Sequence, residues 1–299
     1  MSVVFRDSSH GVDWRLELDR DSLLPGRLVA GNVSVESRET LDARSLIVEL
    51  RAVEQWQYQQ TTTDAKGHTS THTETVRREL VVEPVQVAGE VHLGPGEARA
   101  WAFELPVPPL GPATLEATVA ALTWTVSARF DVPGGFDPSI ERPVRVLQPV
   151  ALLRSRTVPV GEFALYDSAE VGTEDVLGSV SFDPAPLCPG APFTAAISLH
   201  AGRAHRLQEI RAEIRVHVEA TVPSGLEETI TAWAGVVPTE ALEGDRTMTI
   251  HGQLDDRALP SVELPHGRTA ATFHVILATA FARDPHLVRD IAIATTQEL

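Results

Sequence analysis

Apolar and polar residues alternate over long stretches of this chain, and the alternation predicts where its strands lie. At positions 209–219 the residues Glu209, Arg211, Glu213, Arg215, His217 and Glu219 are polar, while Ile210, Ala212, Ile214 and Val216 between them are apolar. That is the period-two pattern of a strand with one wet and one dry face. Trp124, Val126, Ala128 and Phe130 share a face in the same way, and Trp101, Phe103 and Leu105 alternate with Ala102 and Glu104. Between these runs stand Pro106, Pro108, Pro109 and Pro112. Proline cannot donate to a central ladder, so positions 105–112 read as a strand end and an extended crossing from one sheet to another. A two-sheet sandwich follows.

The pattern then repeats. Leu24-Pro25-Gly26 followed by Val29, Gly31, Val33 and Val35 answers Cys188-Pro189-Gly190 followed by Phe193, Ala195, Ile197 and Leu199, a shift of 164 from Pro25 to Pro189. Leu16 and Leu18 meet Val180 and Phe182 at that shift, and Leu46, Val48, Leu50 and Ala52 meet Ile210, Ala212, Ile214 and Val216. Further on, the shift is 147, from Asp137 to Asp284. Trp101 and Phe103 then meet Met248 and Ile250, and Arg142, Val144 and Val146 meet Arg289, Ile291 and Ile293. Two tandem copies of one all-β unit predict two immunoglobulin-like β-sandwiches, spanning 1–148 and 176–299. Arg142 and Arg289 read as equivalent structural edge pairs.

Residues 149–175 have the composition of a connection, with Pro149, Pro159, Gly161 and Gly172. Apolar stretches at 150–153 and 163–166 predict an extra strand docked on one of the sandwiches. The fall in shift makes the first copy 17 residues longer between its third and fourth strands. The excess is the threonine-rich stretch 57–75, which with a turn at Asp64-Ala65-Lys66-Gly67 predicts a long hairpin, polar on both faces and projecting beyond the sandwich. Tyr58, Thr61, Thr63, Lys66, His68, Thr71 and His72 are its candidate partner-binding residues. The hairpin reads either as an arm for a protein partner or self-association, or as a solvated insertion.

Composition narrows the function. The hydrophobic share of 43 % and charged share of 22 % in 299 residues are those of a globular chain long enough for two cores. A net charge of −16 opposes nucleic acid and anionic lipid, which need clustered Lys and Arg. Cys188 is the single cysteine and can form no internal disulfide. Positions 1–14 have no apolar core after a basic start, and no apolar run reaches the roughly 18 residues of a membrane helix. A cytoplasmic location is expected.

Catalytic and metal chemistry find little support. His68 and His72 share a strand face and could begin a metal site with Asp64 or Glu74, but the further ligands of a closed site are missing. His251 with Asp255 and Asp256, or His266 with Glu263, pair an acid with a base but lack a positioned nucleophile. Cys188 lies in a Cys-Pro-Gly turn with no identifiable base. No enzyme, cofactor or metal is expected.

The order of a Gly-rich turn (Gly94-Pro95-Gly96-Glu97), a strand ending in Leu105-Pro106, a proline-rich crossing, an aromatic strand and Phe136-Asp137 resembles the N-terminal domain of arrestin-like proteins. The doubled Pro-Gly turns at Pro25-Gly26 and Pro189-Gly190 extend the resemblance to both copies. Within the superfamily the chain looks nearest the simpler bacterial sporulation-control and retromer types. The resemblance implies a non-enzymatic scaffold or adaptor that binds partner proteins. Val3-Val4-Phe5-Arg6-Asp7 lacks the paired lysines that capture receptor phosphates in arrestins, and Pro-Pro-x-Tyr motifs are absent, so those two activities are not carried over. The alternative is a β-sandwich that binds a carbohydrate or other small ligand by stacking, for which Trp56, Tyr58 and Trp233 are the aromatics to inspect.

Overall fold

A computed structural model describes residues 2–150, 153, 164–165, 176–239, 241–278, 284 and 286–296. The chain is nearly all β and divides into two compact units, Met1–Gln57 with Glu74–Glu116 and Ala120–Leu147, and Tyr58–Thr73 with Ala117–Val119 and Gln148–Leu299.

In the first, β1 (Val3–Ser9), β2 (Val12–Leu18), β4 (Leu28–Ser37) and β9 (Ala98–Pro106) form an antiparallel sheet in the order β1-β2-β4-β9. The facing sheet is built from β3 (Ser22–Leu23), β6 (Ser45–Thr63), β7 (Thr69–Ala88), β11 (Ala120–Asp131) and β12 (Ser139–Val146), in the order β3-β12-β11-β6-β7. β10 (Leu115–Glu116) lies beside β11, while β5 (Leu41–Ala43) and β8 (Val91–Leu93) make a small separate pair. The two sheets meet through aromatic rings: Trp14 of β2 and Trp101 of β9 lie 5.1 and 6.2 Å from Phe130 of β11.

The second sandwich repeats this order. β14 (Val176–Asp183), β15 (Pro192–Arg206) and β18 (Ala241–Gln253) answer β2, β4 and β9. β16 (Glu209–Ala220), β17 (Glu227–Pro238), β20 (Gly267–Ala278) and β21 (His286–Ile291) answer β6, β7, β11 and β12, with β19 (Val262–Glu263) beside β20 as β10 is beside β11. Phe182 of β14 meets Phe273 of β20 edge-on at 5.1 Å. Even the entry turns match. Gly26 and Gly190 both adopt left-handed backbone (φ 74° and 70°), and their N–H groups donate to Val107 O and Leu254 O, each just beyond the answering strand.

The dry faces are those the alternation predicts. Trp124, Val126, Ala128 and Phe130 are fully buried, as are Ile210, Ala212 and Ile214. Each large side chain so removed from water contributes about 1.5–3 kcal/mol. The Trp124 indole N–H donates to Pro112 O at 3.0 Å, so the proline-rich crossing satisfies the polar atom of the largest core side chain. Trp101 faces the core as expected but is only half-buried, because β9 is the last strand of its sheet. Glu54 breaks the dry row of β6, fully buried where the second copy has Val218. In the connecting segment, β13 (Ala164–Leu165) pairs with β21, so the second sandwich receives the extra strand. Phe163 and Tyr166, expected to flank it, lie outside the described residues. Val150 and Leu153 dock on Cys188 and Ala294.

Candidate partner-binding surface

β6 and β7 are 19 and 20 residues long, whereas β16 and β17 have 12 each. The excess lies at the shared end of the hairpin, where residues 59–73 are all exposed. Hydroxyls join its strands in place of apolar packing. Thr61 meets Thr71 at 3.2 Å, Thr62 meets Ser70 at 3.0 Å, and Thr63 meets Thr69 at 3.3 Å. Successive pairs fall on opposite faces, so the ladder is two-sided.

The turn closes where the sequence predicts. One Asp64 carboxylate oxygen accepts from the backbone N–H of Lys66 at 2.8 Å and of His68 at 2.9 Å, and Gly67 takes φ 83°. The His68 N–H foremost, and then that of Lys66, hold the Asp64 carboxyl below its ordinary value. The other carboxylate oxygen lies 3.2 Å from His68 Nδ1.

At its root the outer hairpin is held by a contact that the threonine pattern does not announce. The Gln59 N–H donates to Ser224 O at 2.9 Å, and Tyr58 forms an antiparallel bridge with Gly225. That turn is tight: Ser224 has φ 58°, and a Cβ on Gly225 would lie 1.9 Å from Ala220 O. The projecting arm is therefore anchored at its base and exposed from there outward.

The seven candidate residues share this one hairpin. Tyr58 is half-buried at the root, Thr61, Thr63 and Thr71 stand in the ladder, Lys66 and His68 are at the tip, and His72 is exposed on β7. Among the described residues no group of three or more His, Cys, Asp or Glu is placed to hold a metal ion. Of the acid–base groups considered above, His251 and Asp255 are engaged elsewhere. His251 Nδ1 lies 3.2 Å from Thr194 Oγ1, and Asp255 accepts from the Arg257 N–H at 2.7 Å. Cys188 is buried in an apolar cluster. Of the three aromatics of the sugar-stacking reading, Trp56 is buried in the core, and Trp233 is half-buried over Gly235 and Gly252 with its ring 5.2 Å from Phe193.

One polar cluster escapes the sequence reading. Thr272 Oγ1 lies 2.9 Å from both His217 Nε2 and His274 Nε2, and the His286 ring stands 6.4 Å from that of His274. Burial, followed by Arg215 and the neighbouring imidazoles, pushes His274 down to about 4. Alternation showed His217 on a wet face, but not which strands bring the other rings beside it.

The family model of the arrestin (or S-antigen) N-terminal domain matches residues 14–153. No curated protein matches the chain. Over that stretch the chain is similar to the arrestin N-terminal domain, and the duplicated sandwich described above is consistent with an arrestin-like fold. Proteins of this family are in general protein-binding adaptors without enzymatic activity. No helix among the described residues is long and apolar enough to cross a membrane.

Proposed function

We propose that this chain is a non-enzymatic cytoplasmic adaptor whose 57–75 hairpin is the recognition arm for a protein partner. The observation that carries the reading is the hairpin itself, extended well past its counterpart in the second copy and exposed from 59 to 73. Extended strands with open edges bind other chains by strand addition, and threonine rows present little charge to repel one. The domains are 1–148 and 176–299, with 149–175 between them. The likeness to bacterial sporulation-control proteins favours a stress or developmental response. The net charge of −16 argues against nucleic acid as the partner.

A photo-crosslinking residue placed singly at Thr63, Thr71 or Thr125 tests this in the native host. Thr63 and Thr71 are on the arm, and Thr125 is on the wet face of β11. The arm positions are expected to capture one common protein that Thr125 does not. Capture from Thr125 but from neither arm position would move the binding surface to the sheet faces.

A further inference from the structure

β7 ends its sheet, pairing with β6 on one side and with no described strand on the other. None of its 20 residues is buried. Its outer row of N–H and C=O groups is thus open to strand addition. Two such edges can close into a dimer only about a two-fold axis perpendicular to the sheet. That axis sets residues of the same face opposite one another, namely those an even number of positions apart. Arg77 and Glu83 meet this condition, each three positions from Leu80.

We propose that two copies of this chain pair antiparallel through β7 about Leu80, with Arg77 of each copy opposite Glu83 of the other. Leu80 then meets Leu80, the Arg78 stem meets Val82, and Val76 meets Pro84. Glu83 has no partner within the chain among the described residues, and Arg77 is held ready by Gln55, whose Oε1 accepts from its Nε at 2.9 Å. Neighbouring registers are poorer. An axis at Arg78 or Glu79 sets that charge against itself, and one at Val76 would use Glu74 and Arg78, which already have partners in the chain.

Other long edges offer no such match. β17 has no basic residue, and in β1, β9 and β18 every arginine is an odd number of positions from each acidic residue of its strand. Opposite charges on those strands therefore lie on opposite faces and cannot meet in a closed pair.

This inference concerns 76–84 and goes beyond the role of the hairpin tip. Sedimentation equilibrium of the full chain tests it. The wild-type chain is expected to dimerise, and Arg77→Glu and Glu83→Arg each to weaken the dimer by about tenfold or more in Kd, since like charges then meet twice. The double variant is expected to recover the wild-type Kd to within about threefold, with circular dichroism unchanged throughout. A wild-type chain that stays monomeric, single variants that dimerise normally, or a double variant that stays weak would each overturn the pairing. Disruption by Glu74→Arg that Arg78→Glu repairs would also overturn it, by moving the axis to Val76. All these variants keep 61–73 intact, so the pairing and the recognition arm fail separately.

Discussion

Arg142 and Arg289 hold the same place in the two sandwiches and make the same kind of bond: each reaches from the last long strand of one sheet to a backbone carbonyl on the edge strand of the other. Arg142 Nη2 donates to Arg6 O at 3.0 Å, and Arg289 Nη1 donates to Val180 O at 2.9 Å. Arg142 also donates to the Asp7 carboxylate at 2.9 Å. The Ser8 N–H first, and then Arg142, hold the Asp7 carboxyl below its ordinary value. Each arginine thus clips the edge of one sheet to the other, which is a structural role rather than a site.

Removing either clip is expected to cost about 1 kcal/mol, the net worth of an intramolecular hydrogen bond with one partner lost. Urea denaturation of Arg142→Ala and Arg289→Ala should show similar falls in midpoint. A fall in one with none in the other would show that the two positions are equivalent in sequence but not in energetics.

The dry faces make a sharper prediction. Trp124→Ala and Ile214→Ala empty positions with no solvent exposure and are expected to cost about 2–5 kcal/mol each. Thr125→Ala and Arg215→Ala, on the opposite faces of the same strands, are expected to stay within about 1 kcal/mol of wild type. Equal losses on both faces in denaturant titrations would refute the strand register.

The histidine row makes stability depend on pH. In the unfolded chain His274 titrates near 6.5, and in the fold it is pushed down to about 4. Between these values the unfolded state binds the proton and the folded state does not. Stability from this group is therefore fully present above pH 6.5 and is lost as pH falls toward 4, by about 3 kcal/mol in total. His286 is shifted in the same direction, foremost by burial. His274→Gln, which removes the titration, is expected to flatten the stability profile across that window, read as the difference from wild type. Identical slopes would mean that His274 is already free to take up its proton in the fold.

Much of the fold was legible in the sequence because a strand's faces depend on residues two apart, and a tandem copy repeats them at a fixed shift. Trp124 and Ile214 could be placed without knowing what packed on them. Glu54 could not, because a carboxylate in the dry row of β6 contradicts the rule that the other residues of that row obey. The hydroxyl ladder was half legible. Threonine content and the Asp64–Gly67 turn predicted the hairpin, but nothing local tied Tyr58 and Gln59 to a turn some 165 residues away. The His217, His274 and His286 row depends on the order of β16, β20 and β21 in one sheet, which alternation does not encode.

The central claim is that the outer hairpin recognises a partner and does not support the fold. Replacing residues 61–73 with an Asn-Gly turn removes only exposed residues and keeps Tyr58, Gln59 and the anchored root. The melting temperature is expected to stay within about 2 °C of the intact chain. The protein crosslinked from Thr63 and Thr71 should no longer be captured by the shortened chain. An unchanged melting temperature with capture lost is the predicted result; capture of that same protein at undiminished yield would contradict it.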